Sequence, residues 1–102
     1  MAIVAVSVVP IGTGTTSVSS YVAGAEKILR DDGRVKYQLG PMFTTIEGEL
    51  GDCLDVVKKM HESLFTAGAF RVSTLVKIDD RRDRESTMGG KVRSVEEKLG
   101  RG

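Results

Sequence analysis

The stretch Ala2–Val9 (AIVAVSVV) constrains this chain most. It is rich in Val and Ile and stops at Pro10, the pattern of a β-strand. Successive strand residues point to opposite faces of a sheet. Here both alternating sets, Val4/Val6/Val8 and Ile3/Ala5/Ser7/Val9, lack charge. Such a strand belongs inside a sheet with cover on both faces. It is too short for a secretory signal, lacks a basic leading region, and runs at once into Pro10, Gly12 and Gly14.

The rest of the chain supplies neighbours for it. Val18, Tyr21, Val22, Ala25, Ile28 and Leu29 recur at the offsets of one helix face. Ser17 or Ser19 can cap that helix, and Gly33 ends it. Val35, Tyr37 and Leu39 alternate with Lys36 and Gln38 as a second strand. Gly40–Met42 then makes a tight connection or bulge before a third strand, Phe43–Glu49. Helical spacing returns with Leu50, Cys53, Leu54, Val57, Met60, His61 and Leu64, and ends at Gly68. Phe70, Val72, Thr74, Val76 and Ile78 mark a fourth strand. A short helix is expected over residues 91–99, because Ser94 and Glu97 match a capping box. The closing Gly100-Arg101-Gly102 is expected to fray.

The order β-α-β-β-α-β, with right-handed crossovers, predicts a ferredoxin-like α+β sandwich. Its antiparallel four-stranded sheet carries two helices on one face, in a single domain over residues 1–102 with its core in about 2–80. The other face then holds Lys36, Thr45, Glu47 and Ser73 beside Ile3, Ala5, Val9 and Leu75. It is half apolar, which suits a subunit interface better than water.

Charge and composition exclude several roles. The chain has 15 Lys+Arg against 14 Asp+Glu, so its net charge is +1. That balance argues against a nucleic-acid surface and leaves self-association unopposed. One Cys and one His provide neither an internal disulfide nor a structural zinc site. No metal or required cofactor is expected. The lone Cys53 points to a reducing compartment, hence the cytoplasm. No stretch reaches the roughly 18–20 apolar residues of a membrane span.

Four features are candidates for chemistry, each with a plainer reading beside it. Gly12–Ser17 lies between a strand and a helix, where an anion can sit, but it lacks the lysine of a P-loop and the third glycine of a dinucleotide fingerprint. A glycine-made bend explains it equally. His61 titrates near neutrality but falls on the apolar stripe of the second helix, as a packed histidine would. Glu47 is an acid inside a strand, where Glu is depleted. It either meets a ligand or pairs with Arg71, Lys36 or another subunit. The charged run Asp79–Glu85 is a self-neutralising loop or a subunit contact.

The motifs together resemble those of the thiamine-binding protein family. The matching pieces are Pro10-Ile-Gly-Thr-Gly before Ser17-Val-Ser19 and Tyr21-Val-Ala; Tyr37-x-Leu39-x-Pro41-Met42; and Thr44-x-Ile46-Glu47-Gly48. His61, Gly68 before Arg71-Val-x-Thr74, and Lys77-Ile-Asp79-x-Arg81-x-Asp83 complete them. The resemblance implies the same ferredoxin-like fold, assembled as a homotetramer from a dimer of dimers. It implies non-enzymatic binding of thiamine or its hydroxymethylpyrimidine part, in thiamine transport, salvage or sensing. Thr44 and Glu47 are carried over as ligand contacts. Ser17 or Ser19 can take an amine edge, while Tyr37 or Phe43 can stack on the ring. Phe43 departs from the small residue expected there, so it is expected to narrow or reshape the pocket.

Other readings stay open. A regulatory or interaction module of the same fold would bind an effector at a subunit interface. An enzyme would use His61 and Glu47 as acid and base, although they lie on different elements. RNA binding is disfavoured because the third strand has no paired aromatic platform.

Overall fold

A computed structural model describes residues 1–85 and 87–100 of the chain. The elements are β1 (Ala2–Pro10), α1 (Ser19–Asp32), β2 (Lys36–Gln38), β3 (Thr44–Gly48), α2 (Leu50–Thr66), β4 (Val72–Asp80) and α3 (Met88–Gly100). The strands form one antiparallel sheet in the order β2-β3-β1-β4. This is the expected ferredoxin-like sandwich, with β1 in an interior position as its charge-free faces require.

Alternation along β1 divides the molecule. Ala2, Val4, Val6 and Val8 are buried in the core with Ile46 of β3, Ala25 and Leu29 of α1, and Cys53, Val56, Met60 and Leu64 of α2. Each large apolar side chain buried there contributes about 1.5–3 kcal/mol. On the other face Val9 and Leu75 are exposed, but Ile3 is buried.

Several local details differ from expectation, for identifiable reasons. Neither Ser17 nor Ser19 caps α1. Val18 holds the cap position, and no side chain bonds the helix start. The preceding loop turns on itself instead, with the Thr15 hydroxyl accepting from the Ser17 N–H at 3.2 Å. Phe70 lies outside β4 and is 98% exposed. Gly68, at φ 110°, turns the chain so that Ala69 rather than Phe70 meets the core.

The last helix differs most. It begins at Met88, so Ser94 lies mid-helix and no capping box forms at Ser94 and Glu97. Glycine disfavours helix, yet two acceptors hold the start across Gly89-Gly90. The Thr87 hydroxyl accepts from the Gly90 N–H at 2.9 Å, and the Glu47 carboxylate accepts from the Met88 N–H at 3.2 Å. Beyond Gly90, α3 is exposed along its length. The molecule measures 48 × 30 × 20 Å with a radius of gyration of 15.2 Å, against about 13 Å for a compact chain of this size. Arg101 and Gly102, part of the tail expected to fray, lie outside the described residues.

Candidate functional site

A cavity of about 320 Å³ lies where α1 meets the β1–β3 pair. Its walls include Val6, Val8, Val18, Val22, Ala25 and Met60, with the β2–β3 connection from Leu39 to Phe43 along one side. That connection is held close by Gly40, whose missing Cβ would collide with the Phe43 carbonyl. Phe43 therefore lines the cavity itself.

One acid sits among these apolar groups. Glu26 of α1 accepts a hydrogen bond from the Thr44 hydroxyl through Oε1. Its Oε2 is shielded from solvent and has no bonded partner among the described residues. A buried polar atom left in that condition costs about 1–3 kcal/mol, more when charged. A carboxylate can only accept, so this oxygen suits a donor carried by a ligand.

A second, more open hollow of about 560 Å³ adjoins the first. Glu26, Val22 and Leu39 line both, and Ser19, Lys27, Arg30 and Tyr37 line the second alone. Glu26 thus stands at the junction of two largely apolar hollows, the second more open than the first and rimmed by Ser19, Lys27 and Arg30.

The residues expected at the ligand separate into three groups. Phe43 and Thr44 line the cavity. Ser19 and Tyr37 line the adjoining groove. Ser17 is exposed in the loop before α1, its hydroxyl 3.5 Å from that of Ser19. Glu47 is on the far side of the sheet. Thr44 pairs with Val6 and Glu47 with Ile3, so the two side chains point to opposite faces of β3. Thr44 and Glu47, both expected at the ligand, are therefore not brought together on one face of this chain. Lys36 stands opposite Glu47 in register, but the partner that Glu47 bonds is the Met88 N–H.

The family model described as "Thiamine-binding protein" matches residues 4–96. This chain belongs to the thiamine-binding protein family. The UPF0045 protein YqgV of Bacillus subtilis is 50% identical over 102 residues, covering 97% of this chain and 98% of the relative. The crystal structure of the hypothetical protein MJ1052 of Methanocaldococcus jannaschii has a TM-score of 0.84 at 33% identity, covering 94% of this chain and 97% of the other. A Thermotoga maritima structure, described provisionally as a thiamine biosynthesis or salvage protein, has a TM-score of 0.77 at 28% identity, covering 92% and 97%.

Within this thiamine-binding family member, the other candidates have local partners. The His61 ring lies 2.6 Å through Nδ1 from the Thr74 hydroxyl and packs edge-on to Phe65, with centroids 5.4 Å apart. It is separated from Glu47 by the sheet, which does not assemble an acid–base pair. Gly12 and Gly14 have φ of 77° and 79°, so the loop bends through its glycines. In the charged run Arg81 pairs with Asp83 and Arg82 with Asp80. The Arg81 hydrogen bond holds Asp83 at a pKa of about 2.

At the far end of α1, Arg34 donates to Asp32 at 2.8 Å and to Asp55 of α2 at 2.5 Å. The Arg34 hydrogen bonds hold the Asp32 carboxyl at about 2. Burial pushes the Cys53 thiol upward, away from reactive thiolate. No helix among the described residues is long and apolar enough to cross a membrane.

Proposed function

We propose that the chain binds thiamine, or its hydroxymethylpyrimidine part, without transforming it. The observation that carries this reading is the solvent-shielded, incompletely bonded Glu26 carboxylate in an apolar cavity. Membership of the thiamine-binding family gives that cavity its ligand class. An aminopyrimidine offers a flat apolar body and N–H donors, and the cavity offers Val walls, an aromatic ring at Phe43 and a carboxylate acceptor. The description of the Thermotoga maritima relative supports the same class. Binding rather than turnover is favoured because His61 and Cys53 do not line the cavity. The cellular role we assign is thiamine salvage, transport or sensing.

The protein acts as a homo-oligomer, a tetramer by resemblance. Support comes from apolar groups left uncovered in the single chain. Val9 and Leu75 are exposed on the sheet face, and Val92, Val95 and Leu99 are more than half exposed on α3. With Met88 these α3 residues follow spacings of four, three and four, the seam of a helix that packs on another.

Calorimetry and thermal shift test both parts. Thiamine is expected to bind and raise the melting temperature, while amino acids and nucleotides do not. Stabilisation by those other effectors, with none by thiamine, would favour the regulatory-module reading. Light scattering on the free protein is expected to give a tetramer, and a monomeric mass at micromolar concentration would remove the assembly.

A further inference from the structure

We infer that β4 pairs with β4 of a second copy, antiparallel about a two-fold axis at Leu75, and that each α3 reaches across to cover Val9 and Leu75 of the other copy. This names one contact within the oligomer proposed above and rests on that reading. The backbone decides which groups are available. Ile11 donates to the Arg71 carbonyl at 2.8 Å, continuing the β1–β4 register. In an antiparallel ladder, residues bonded to a given neighbour alternate with residues that are not. Odd-numbered residues of β4 therefore serve β1, and Val72, Thr74, Val76 and Ile78 turn their N–H and C=O groups to the other side. β4 ends the sheet, so no strand among the described residues lies there. The strand runs for nine residues without a Pro or a bulge, two of the devices that blunt such edges.

Its charges select the register. About an axis normal to the sheet, residues opposite one another share a face, and like charges placed opposite destabilise a pair. An axis at Val76 sets Arg71 against Arg81, and one at Thr74 sets Arg71 against Lys77. An axis at Leu75 sets Arg71 against Asp79 at both ends and Ser73 against Lys77. That same register joins Thr74 to Val76 and Val72 to Ile78 through their free backbone groups.

The last helix points to the same partner. Met88 is bonded to Glu47 of β3, and Lys91 pairs with Asp79 of β4, so the first turn of α3 crosses the open sheet face from β3 toward β4. The remainder, Val92–Gly100, extends about 14 Å further, roughly three strand spacings. Its Val92, Val95 and Leu99 are more than half exposed. With Asp79 opposite the second copy's Arg71, this overhang comes down where that copy presents Ser73, its neighbour Val9, and Leu75. Val9 and Leu75 are exposed on the open face in the single chain. One two-fold axis thus pairs the free edge, matches the charges and covers both apolar groups.

The test is oxidative cross-linking of the full chain at micromolar concentration. Leu75→Cys places two thiols across the axis, about 4.5 Å apart at Cα, which is within disulfide reach. It is expected to give a covalent dimer in high yield. Lys77→Cys lies four residues from its own copy along the ladder, about 13 Å, and is expected to stay uncoupled. Native Cys53 is buried and does not compete. Melting temperatures check that each variant is folded. Two variants without new thiols are read by sedimentation. Arg71→Glu and Val92→Ser/Val95→Ser are each expected to raise the dissociation constant roughly tenfold or more.

An oligomer in which Leu75→Cys stays uncoupled, or Lys77→Cys couples in its place, overturns the inference and leaves the assembly standing. Association untouched by Arg71→Glu overturns the register, and association untouched by Val92→Ser/Val95→Ser overturns the placement of α3. A wild-type chain that is monomeric overturns the assembly and the inference together.

Discussion

Glu47 and Glu26 approach β3 from opposite sides of the sheet. Glu47 belongs to the strand, is 6% exposed, and accepts the Met88 N–H where α3 begins. Glu26 reaches the strand from α1, bonds Thr44 through one oxygen, and keeps the other shielded without a partner. The first carboxylate completes a helix start. The second leaves a demand that only an incoming donor meets. Burial alone therefore does not distinguish the two acids; what sets Glu26 apart is an oxygen that is shielded from solvent and unbonded among the described residues.

The most disruptive way to test this contrast is Thr44→Val. It removes the only donor bonded to Glu26 among the described residues and should cost about 1–3 kcal/mol in chemical denaturation. The double variant Glu26→Leu/Thr44→Val replaces both partners with apolar groups, which is often near neutral. Its stability should recover toward wild type while ligand binding is lost. If the double variant is as unstable as the single one, the strain does not reside in the carboxylate.

On the other face, Glu47→Ala should cost about 1–2 kcal/mol, the upper range for losing a helix-start acceptor. Hydrogen exchange should quicken at Met88 and its neighbours while thiamine affinity stays within error. A large loss of affinity would instead make Glu47 a ligand contact. Thr87→Ala removes the companion acceptor and should cost about 1 kcal/mol, seen as faster exchange at Gly90.

The smallest effect at neutral pH concerns a carboxylate with every need met. Asp32 titrates at about 2 when folded against an ordinary value of 3.8, because Arg34 donates to it. The folded form thus binds fewer protons than the unfolded chain in that interval. The stabilisation is fully present above about pH 4 and is lost as pH falls through about 2. Asp32→Asn should remove this contribution, flattening the loss of melting temperature between pH 4 and pH 2.

These carboxylates also show how far the sequence could be read. The fold was legible because β1 carries no charge in either register and because α1 and α2 keep their apolar stripes. Its order of elements follows from those periods. Glu47 was conspicuous as an acid in a strand, and the conspicuous residue turned out to hold α3. Glu26 was overlooked although a signal existed. It lies four residues after Val22 and three before Leu29, at an offset where the stripe calls for an apolar group. The start of α3 was hidden for a different reason. Its acceptors are Thr87, beside a glycine pair that reads as loop, and Glu47, which is 41 residues away. The grouping of Tyr37 with Ser19 around Glu26 likewise depends on packing between distant segments.

The pairing of β1 with β4 has a mechanical consequence. Nine residue pairs join them from Ala2↔Asp80 to Pro10↔Val72. Because the strands are antiparallel, the start of one lies beside the end of the other. Tension applied between Met1 and the α3 end would load the Ala2–Asp80 rung first and peel the ladder one pair at a time. The fold would yield to a pull at its ends like a zipper, at far lower force than if the same bonds were sheared together.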